Sequence, residues 1–428
     1  MFRINNVQIK GFWGQHFVDA EFNDDVNIFI GRNGTGKTTF INLLQAVISV
    51  DLELLYGLQF EKITINLSEG KRSRKVEVIK LAHDLQFKEL QYQIGTRKFK
   101  LPILPERELR YSNKRSGRIH PRFFRDVQEI KNQLSKLVNV SYLSVNRDNV
   151  LKDDPREFRR DEIYNAIDIR LDELIGQLTS YQLQLETDLS KLSKKFQENV
   201  LRSMLFNEEF DKININEPVT LDLRRISIGL KQAYRGLGIL DSATEDVIER
   251  HVQEIEKAAK SINNHAEDSS RPVYPDDVTP LTLLRRTRKI NNLSSDLEKN
   301  KKKLFSRLND YINLLNEFHE TKSFTLQDSK DGGIIIQKDN VEIPLFQLSS
   351  GEKQLIILLT EALLQKGRQT LFIADEPELS LHIEWQRKVI SSIRKLNPNS
   401  QIIVATHSPE IVGKFRSSVI NMERIING

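Results

Sequence analysis

The stretch that decides the fold is "DDVNIFIGRNGTGKTTFINLLQAVISV", residues 24–50. "VNIFI" is an unbroken apolar run of strand length, and the tail repeats apolar residues at helical spacing. Between them, Gly31-Arg32-Asn33-Gly34-Thr35-Gly36-Lys37-Thr38 fits G-x-x-x-x-G-K-[ST]. Glycines here let successive backbone N–H groups curl around phosphate oxygens, and the helix start adds partial positive charge. At average residue usage the four fixed positions match by chance somewhere in such a chain about one time in a hundred. The expected cradle is Asn33, Gly34, Thr35, Gly36, Lys37, Thr38 and Thr39. Lys37 would reach the β- and γ-phosphates of ATP, and the Thr38 hydroxyl a magnesium ion.

Three later motifs suit the same chemistry. "LFIADEP" (371–377) is a buried-type strand ending in two carboxylates, and ligands of α/β folds bind at strand C-termini. Asp375 is the expected metal ligand, through the metal's water shell or through Thr38; Glu376 is the expected base for an attacking water. "QIIVATHS" ends a second apolar strand at His407, 32 positions beyond Asp375, where a side chain could touch the γ-phosphate and the water. "LSSGEKQLIILLTEALLQKG" (348–367) opens a helix with Ser349 and Glu352 at capping-box spacing and closes it at Gly367. A capping box does not account for Ser350-Gly351, which leaves an uncluttered, donor-rich helix start.

Composition narrows the class. The 428 residues suit two or three domains, and net charge +5 with pI near 9.0 mildly favours an acidic ligand or nucleic acid. There is no cysteine, so disulfides, cysteine-based zinc sites and thiol nucleophiles are excluded. "MFRINNVQIKGFWG" has neither the apolar core nor the cleavage site of a signal peptide, and no apolar run approaches the roughly 20 residues of a membrane span. A cytoplasmic protein is the expectation.

The pattern along the chain changes twice. "ITINL", "KVEVIKL" and "KELQYQI" alternate as an antiparallel meander with one wet face. An irregular basic stretch follows, with seven Arg and Lys from Arg107 to Arg125, readable as a site for DNA or an acidic protein, or as a solvated loop. From about residue 151 the pattern turns helical. Ile163 to Phe196 takes nine apolar steps over 33 residues, 3.67 per step, and a second stripe runs from Ile290 to Phe318. Strand–helix alternation then returns, implying a parallel sheet covered on both faces. The expected layout is α/β. Residues 1–150 form the first part of a P-loop head with an antiparallel β subdomain, 151–322 an inserted helical, coiled-coil-like arm, with an ordinary helical domain as the alternative, and 323–428 the second part of the head.

P-loop, "LSSGEKQ", "LFIADEPELSLH" and "ATHSPE", in this order, resemble the ATP-binding-cassette (ABC) ATPases, in their SMC/RecF/OLD-like branch. The resemblance covers roughly 1–50 and 340–420. It implies a magnesium-dependent ATPase whose site is composite across a homodimer or higher homo-oligomer. Ser349, Gly351 and Glu352 of one copy would then meet the γ-phosphate held by Lys37 of another, with "ELSLH" lining the seam. Ser350 stands where the family usually has a second glycine, and Glu352 where it has glutamine; both departures resemble the SMC-like branch. Asn146 or Arg147 is a candidate for the family's Q-loop residue, and Phe12 or Trp13 for adenine stacking, with core packing as the alternative.

Without cysteine there is no zinc hook, and 21 residues after His407 leave no room for a Toprim nuclease domain. The chain therefore resembles the stand-alone ATPase subunits of bacterial anti-phage systems, of the PARIS type before the Septu type. That implies an infection sensor and scaffold for a separate, Toprim-like effector nuclease, triggered by an acidic phage protein, with no membrane. The alternative is a RecF-like, DNA-clamping repair ATPase.

Overall fold

The structure, a computed structural model, describes residues 1–83, 87–102, 121–143, 166–205, 221–267, 274–327 and 333–427. These divide into two compact units, one of residues 1–179 with 307–428 and one of residues 180–306.

The first unit is built on two larger sheets and a small one. Five strands make an all-parallel sheet in the order Val419–Asn421, Val26–Ile30, Gln401–Ala405, Leu371–Asp375, Val140–Leu143. "VNIFI", "LFIAD" and "QIIVA" are buried along almost their whole length, as strands covered on both faces must be. Asn27 is tolerated in that core because its side chain bonds the Asn23 backbone at both ends, at 2.6 and 3.0 Å. Seven strands make the second, antiparallel sheet, which runs from the short strand Ile426–Asn427 through His16–Glu21 and Arg3–Phe12 to the meander Lys62–Glu69, Arg72–His83, Phe87–Ile94 and Arg97–Pro102. The third, three-stranded, contains Ser323–Leu326 and Ile334–Lys338.

The helix Lys37–Ser49 joins the two larger sheets. Its Phe40, Leu43, Leu44 and Val47 share one core with Ile63, Val78 and Tyr92 of the antiparallel sheet and with Leu371 and Ile403 of the parallel one. Each such side chain contributes about 1.5–3 kcal/mol by leaving water. The register then sets the site. Asp375 pairs with Ala405 and Ala405 with Phe29, so three strands end level with one another. The loops carrying Gly31, Glu376 and His407 therefore issue from one edge of the sheet.

Three features depart from the sequence reading. The basic stretch read as irregular up to Arg125 becomes the helix Pro121–Leu137 at its end, so Arg122 and Arg125 are helical. The other five basic residues of the stretch lie outside the described residues, as do Asn146 and Arg147. "RKFKLP" is a fourth meander strand that its charges disguised. The second long helix begins at Pro275, well before the apolar stripe that starts at Ile290, and contains Pro280.

The second unit has helices that the two stripes did not announce. Leu223–Gly236 and Ser242–Glu267 bury Ile226, Leu230, Ile255 and Ile262 with Leu284 in a core of their own. Parts of the long helices Ala166–Ser203 and Pro275–Phe318 lie in this unit, where Phe196 and Val200 pack on Leu297.

Candidate functional site

The loop before Lys37 needs glycine at two places. Gly34 and Gly36 have φ of 82° and 87°, which side-chain-bearing residues rarely adopt. A Cβ on Gly36 would also lie 2.9 Å from the rings of Phe12 and Trp13, whereas Gly34 faces open space. Gly36 caps the helix Lys37–Ser49 without any side-chain hydrogen bond, so the helix start keeps its donors for a ligand. Lys37 is almost fully buried and donates to the Gly31 and Arg32 carbonyls at 3.0 and 3.2 Å. Desolvation lowers its pKa, against the pull of Glu376, Asp375 and Glu378.

Four carboxyl and imidazole groups gather at the strand ends. Burial raises the Asp375 carboxyl, opposed by a hydrogen bond from Thr38. Its Oδ1 is buried without a hydrogen-bond partner. An orphaned carboxylate oxygen beside a hydroxyl fits a divalent cation. Among the described residues no three His, Cys, Asp or Glu side chains form a metal site of their own. A cation here would need phosphate oxygens and water to complete its shell.

Glu376 has φ of 48°, a left-handed backbone that only a well-determined turn sustains. Its N–H donates to the Ala405 carbonyl at 2.8 Å. Its carboxylate receives the His407 N–H at 3.3 Å and lies 3.4 Å from His407 Nε2. Burial, then the neighbouring Glu378 carboxyl, push Glu376 up to about 8. Such a group can take a proton from water near neutral pH.

Glu378 is the residue the sequence reading passed over. It is buried, and its Oε1 accepts from Thr406 Oγ1, from His407 N at 3.0 Å and from Ser408 N at 3.2 Å. The signal was a third acid two positions after Glu376, in "DEPE".

The structure thus brings Lys37, Thr38, Asp375, Glu376 and His407 together. The helix Ser350–Leu364 has its contacts elsewhere. Its capping box is complete: Ser349 Oγ accepts from Glu352 N at 3.3 Å, and Glu352 Oε2 accepts from Ser349 N at 2.8 Å. Lys322 Nζ donates to the other Glu352 oxygen at 2.5 Å. Gly351 has a packing reason: a Cβ there would fall 2.2 Å from the Ser380 carbonyl oxygen. Ser349 and Ser350 are exposed. Phe12 is fully buried and Trp13 is 37 % exposed, so only Trp13 has a face to offer a base.

The model of the AAA ATPase domain family matches residues 2–412. The retron Ec83 probable ATPase of Escherichia coli is 34 % identical over 89 residues, 18 % of this chain and 16 % of that protein. The retron Vc95 probable ATPase of Vibrio cholerae is 33 % identical over 101 residues, 21 % and 19 % of the two chains. The Septu protein PtuA of Bacillus thuringiensis is 30 % identical over 138 residues, 28 % and 33 %. The matches therefore span at most a third of these relatives' lengths. Among solved structures, an Smc head domain with an extended coiled coil from Pyrococcus furiosus, bound to the C-terminal domain of ScpA, aligns at a TM-score of 0.46 and 14 % identity, over 96 % of this chain and 92 % of that one. No described helix is long and apolar enough to cross a membrane.

Proposed function

The chain belongs to the AAA ATPase domain family, and from that premise we propose that it binds and hydrolyses magnesium-ATP at the edge where Lys37, Asp375, Glu376 and His407 meet. The observation that carries this reading is the pair formed by an orphaned Asp375 oxygen beside Thr38 and a Glu376 carboxyl beside His407. Asp375 and Thr38 would hold a divalent cation, which would offset phosphate charge, and Glu376 beside His407 would take the proton of an attacking water. The backbone cradle of residues 33–39 supplies the phosphate site.

The proposal includes a second copy. Exposed Ser349 and Ser350 at a helix start support a contact with nucleotide held by Lys37 of another copy. The site would then be complete only in a homodimer or higher homo-oligomer. Gly351 supports this less than its sequence suggested, because Ser380 already requires a glycine there.

In its wider role the protein is proposed as an infection sensor and scaffold, working in the cytoplasm, that holds a separate Toprim-like effector nuclease and activates or releases it, with an acidic phage protein as trigger. Partial similarity to two retron ATPases and to a Septu protein supports a defence role. One observation favours the alternative, a DNA-binding repair ATPase. The turns after Glu69 and Ile94 lie at the same end of the antiparallel sheet, since Val76 pairs with Ile94, and expose Lys71, Arg72, Arg74, Lys75, Arg97 and Lys98 there.

Co-expression of the chain with its operon neighbours, followed by purification and phage plating, tests the wider role. Copurification of a nuclease, with protection lost in Lys37→Ala, is expected. Tight, salt-sensitive DNA binding with DNA-stimulated ATPase by the chain alone would replace this reading with the alternative.

A further inference from the structure

Beyond its effect on the Glu376 carboxyl, Glu378 has been given no part in the reaction just described, yet it is the most heavily bonded side chain at the site. One oxygen, Oε1, takes the Thr406 hydroxyl and the two successive backbone N–H groups of His407 and Ser408. Three donors on one carboxylate oxygen define a direction, because moving any of them breaks a charge-assisted hydrogen bond. All three lie on the segment that presents His407, and Thr406, itself fully buried, extends the strand Gln401–Ala405 by donating its N–H to the Phe29 carbonyl at 3.1 Å. The far side of the segment is held too: Ser408 Oγ donates to Gln386 Oε1 at 2.6 Å, and Gln386 Nε2 to the Leu381 carbonyl at 2.9 Å. Glu378 is therefore the point at which the loop after Asp375 grips the loop after Ala405.

We propose that Glu378 is a positioning residue that fixes the backbone of residues 406–408 so that His407 stands against Glu376. Its positioning acts through His407, separately from the charge it sets beside Glu376. The two oxygens have different duties. Oε1 clamps the loop, while Oε2 is buried without a hydrogen-bond partner. A carboxylate accepts on every lone pair, so it can hold three donors without presenting a competing N–H. An amide at this place keeps the accepting oxygen. An alanine removes the acceptor of the buried Thr406 hydroxyl and leaves His407 N only its 3.3 Å bond to Glu376 and Ser408 N only its 2.9 Å bond to Thr406 Oγ1.

This rests on the reading of His407 as part of an ATPase site, and the test separates the two. Steady-state ATPase and ATP binding are measured for the full chain and for Glu378→Ala, Glu378→Asp, Glu378→Gln, His407→Ala and the double variant Glu378→Ala/His407→Ala. The expected result is a fall in kcat of about 100-fold in Glu378→Ala, as in His407→Ala, with KM and ATP binding within threefold of the parent. The double variant should lose little more than either single one, and Glu378→Gln should recover at least tenfold of the loss. Should Glu378→Ala not fold, Glu378→Asp keeps the charge but withdraws the oxygen by one methylene, and the same fall in kcat is expected of it.

Histidine-selective NMR reads the positioning directly. The chain has 8 histidines, and the signal missing from His407→Ala identifies its own. That signal should shift in Glu378→Asp while the others stay. A shifted signal in a protein without ATPase activity would overturn the ATPase reading and leave the clamp standing. Losses in kcat that multiply in the double variant, or an unmoved His407 signal, would overturn the clamp.

Discussion

Glu376 Oε1 and His407 Nε2 lie 3.4 Å apart, although 31 positions separate the two residues in sequence. Each follows the end of one of two neighbouring parallel strands, and the pairing of Asp375 with Ala405 makes those ends level. The contact is thus set by sheet register. A slip of one residue would turn every side chain of the strand to the opposite face.

Glu376→Gln keeps the shape of the side chain and removes its ability to take a proton. ATP hydrolysis should fall by about 10²–10⁴-fold, the usual contribution of a positioned general base. Phosphate release and ATP binding, measured together, check this. Loss of ATP binding to the same degree would assign Glu376 to holding nucleotide and not to activating water.

The raised Glu376 carboxyl also predicts a pH dependence of stability in the absence of nucleotide and metal. Its folded value of about 8 lies above the ordinary 4.5, so the protonated form is favoured by folding. That contribution is complete below about pH 4.5 and is lost as pH rises through about 8. The thermal midpoint of the ligand-free protein should therefore fall across this window. Glu376→Gln, permanently neutral, should flatten the fall. Equal slopes in both proteins would show that other groups set the dependence.

Much of the head was legible because its strands are extreme. "VNIFI", "LFIAD" and "QIIVA" carry almost no polar residue, and only a doubly covered parallel strand tolerates that. "RKFKLP" was missed for the opposite reason: four of its six positions are exposed, so the strand has little apolar signal and is held by pairing with Phe87–Ile94. Glu378 was missed because its role depends on donors 28 to 30 positions away. Gly351 was read through the ligand it could admit, while the carbonyl of Ser380, invisible in sequence, already dictates it.

Gly351→Ala tests that packing. The new Cβ would sit 2.2 Å from a backbone oxygen, which cannot rotate away as a side chain could. Overpacking of this kind costs about 1–3 kcal/mol, so denaturant unfolding should show a clear loss of stability. Ser350→Ala, at an exposed neighbour, should lie within about 0.5 kcal/mol of the parent. An equally stable Gly351→Ala would return that glycine to a ligand-binding role alone.

The body of the same helix depends on a buried acid. Glu361 accepts from Ser141 Oγ at 2.9 Å and pairs with Arg170, which also bonds Glu173 at 2.8 Å. Arg170→Met should destabilise the protein by about 3 kcal/mol, the lower end for breaking a buried pair, because Arg170 itself is about one-third exposed. Adding Glu361→Gln should restore part of the loss, since the carboxylate left behind carries most of the cost. Chemical denaturation of the two single variants and the double variant measures this.

Ser349→Arg separates a cap from a phosphate contact by magnitude. As a helix cap, Ser349 bonds Glu352 N at 3.3 Å, and losing a cap costs about 1 kcal/mol. That lowers the melting midpoint by a few degrees and leaves chemistry alone. As a contact to nucleotide held by another copy, Ser349 stands where a long cation would both block the approach and hold the two copies apart. Hydrolysis should then fall more than about 100-fold, a barrier change near 2.7 kcal/mol, while ATP still binds the Lys37 loop of each copy with its original affinity. Gel filtration with ATP should show the Glu376→Gln protein as a dimer and the Glu376→Gln/Ser349→Arg protein as a monomer. A Ser349→Arg protein that hydrolyses ATP at the parent's rate would make this helix start a well-built cap and nothing more.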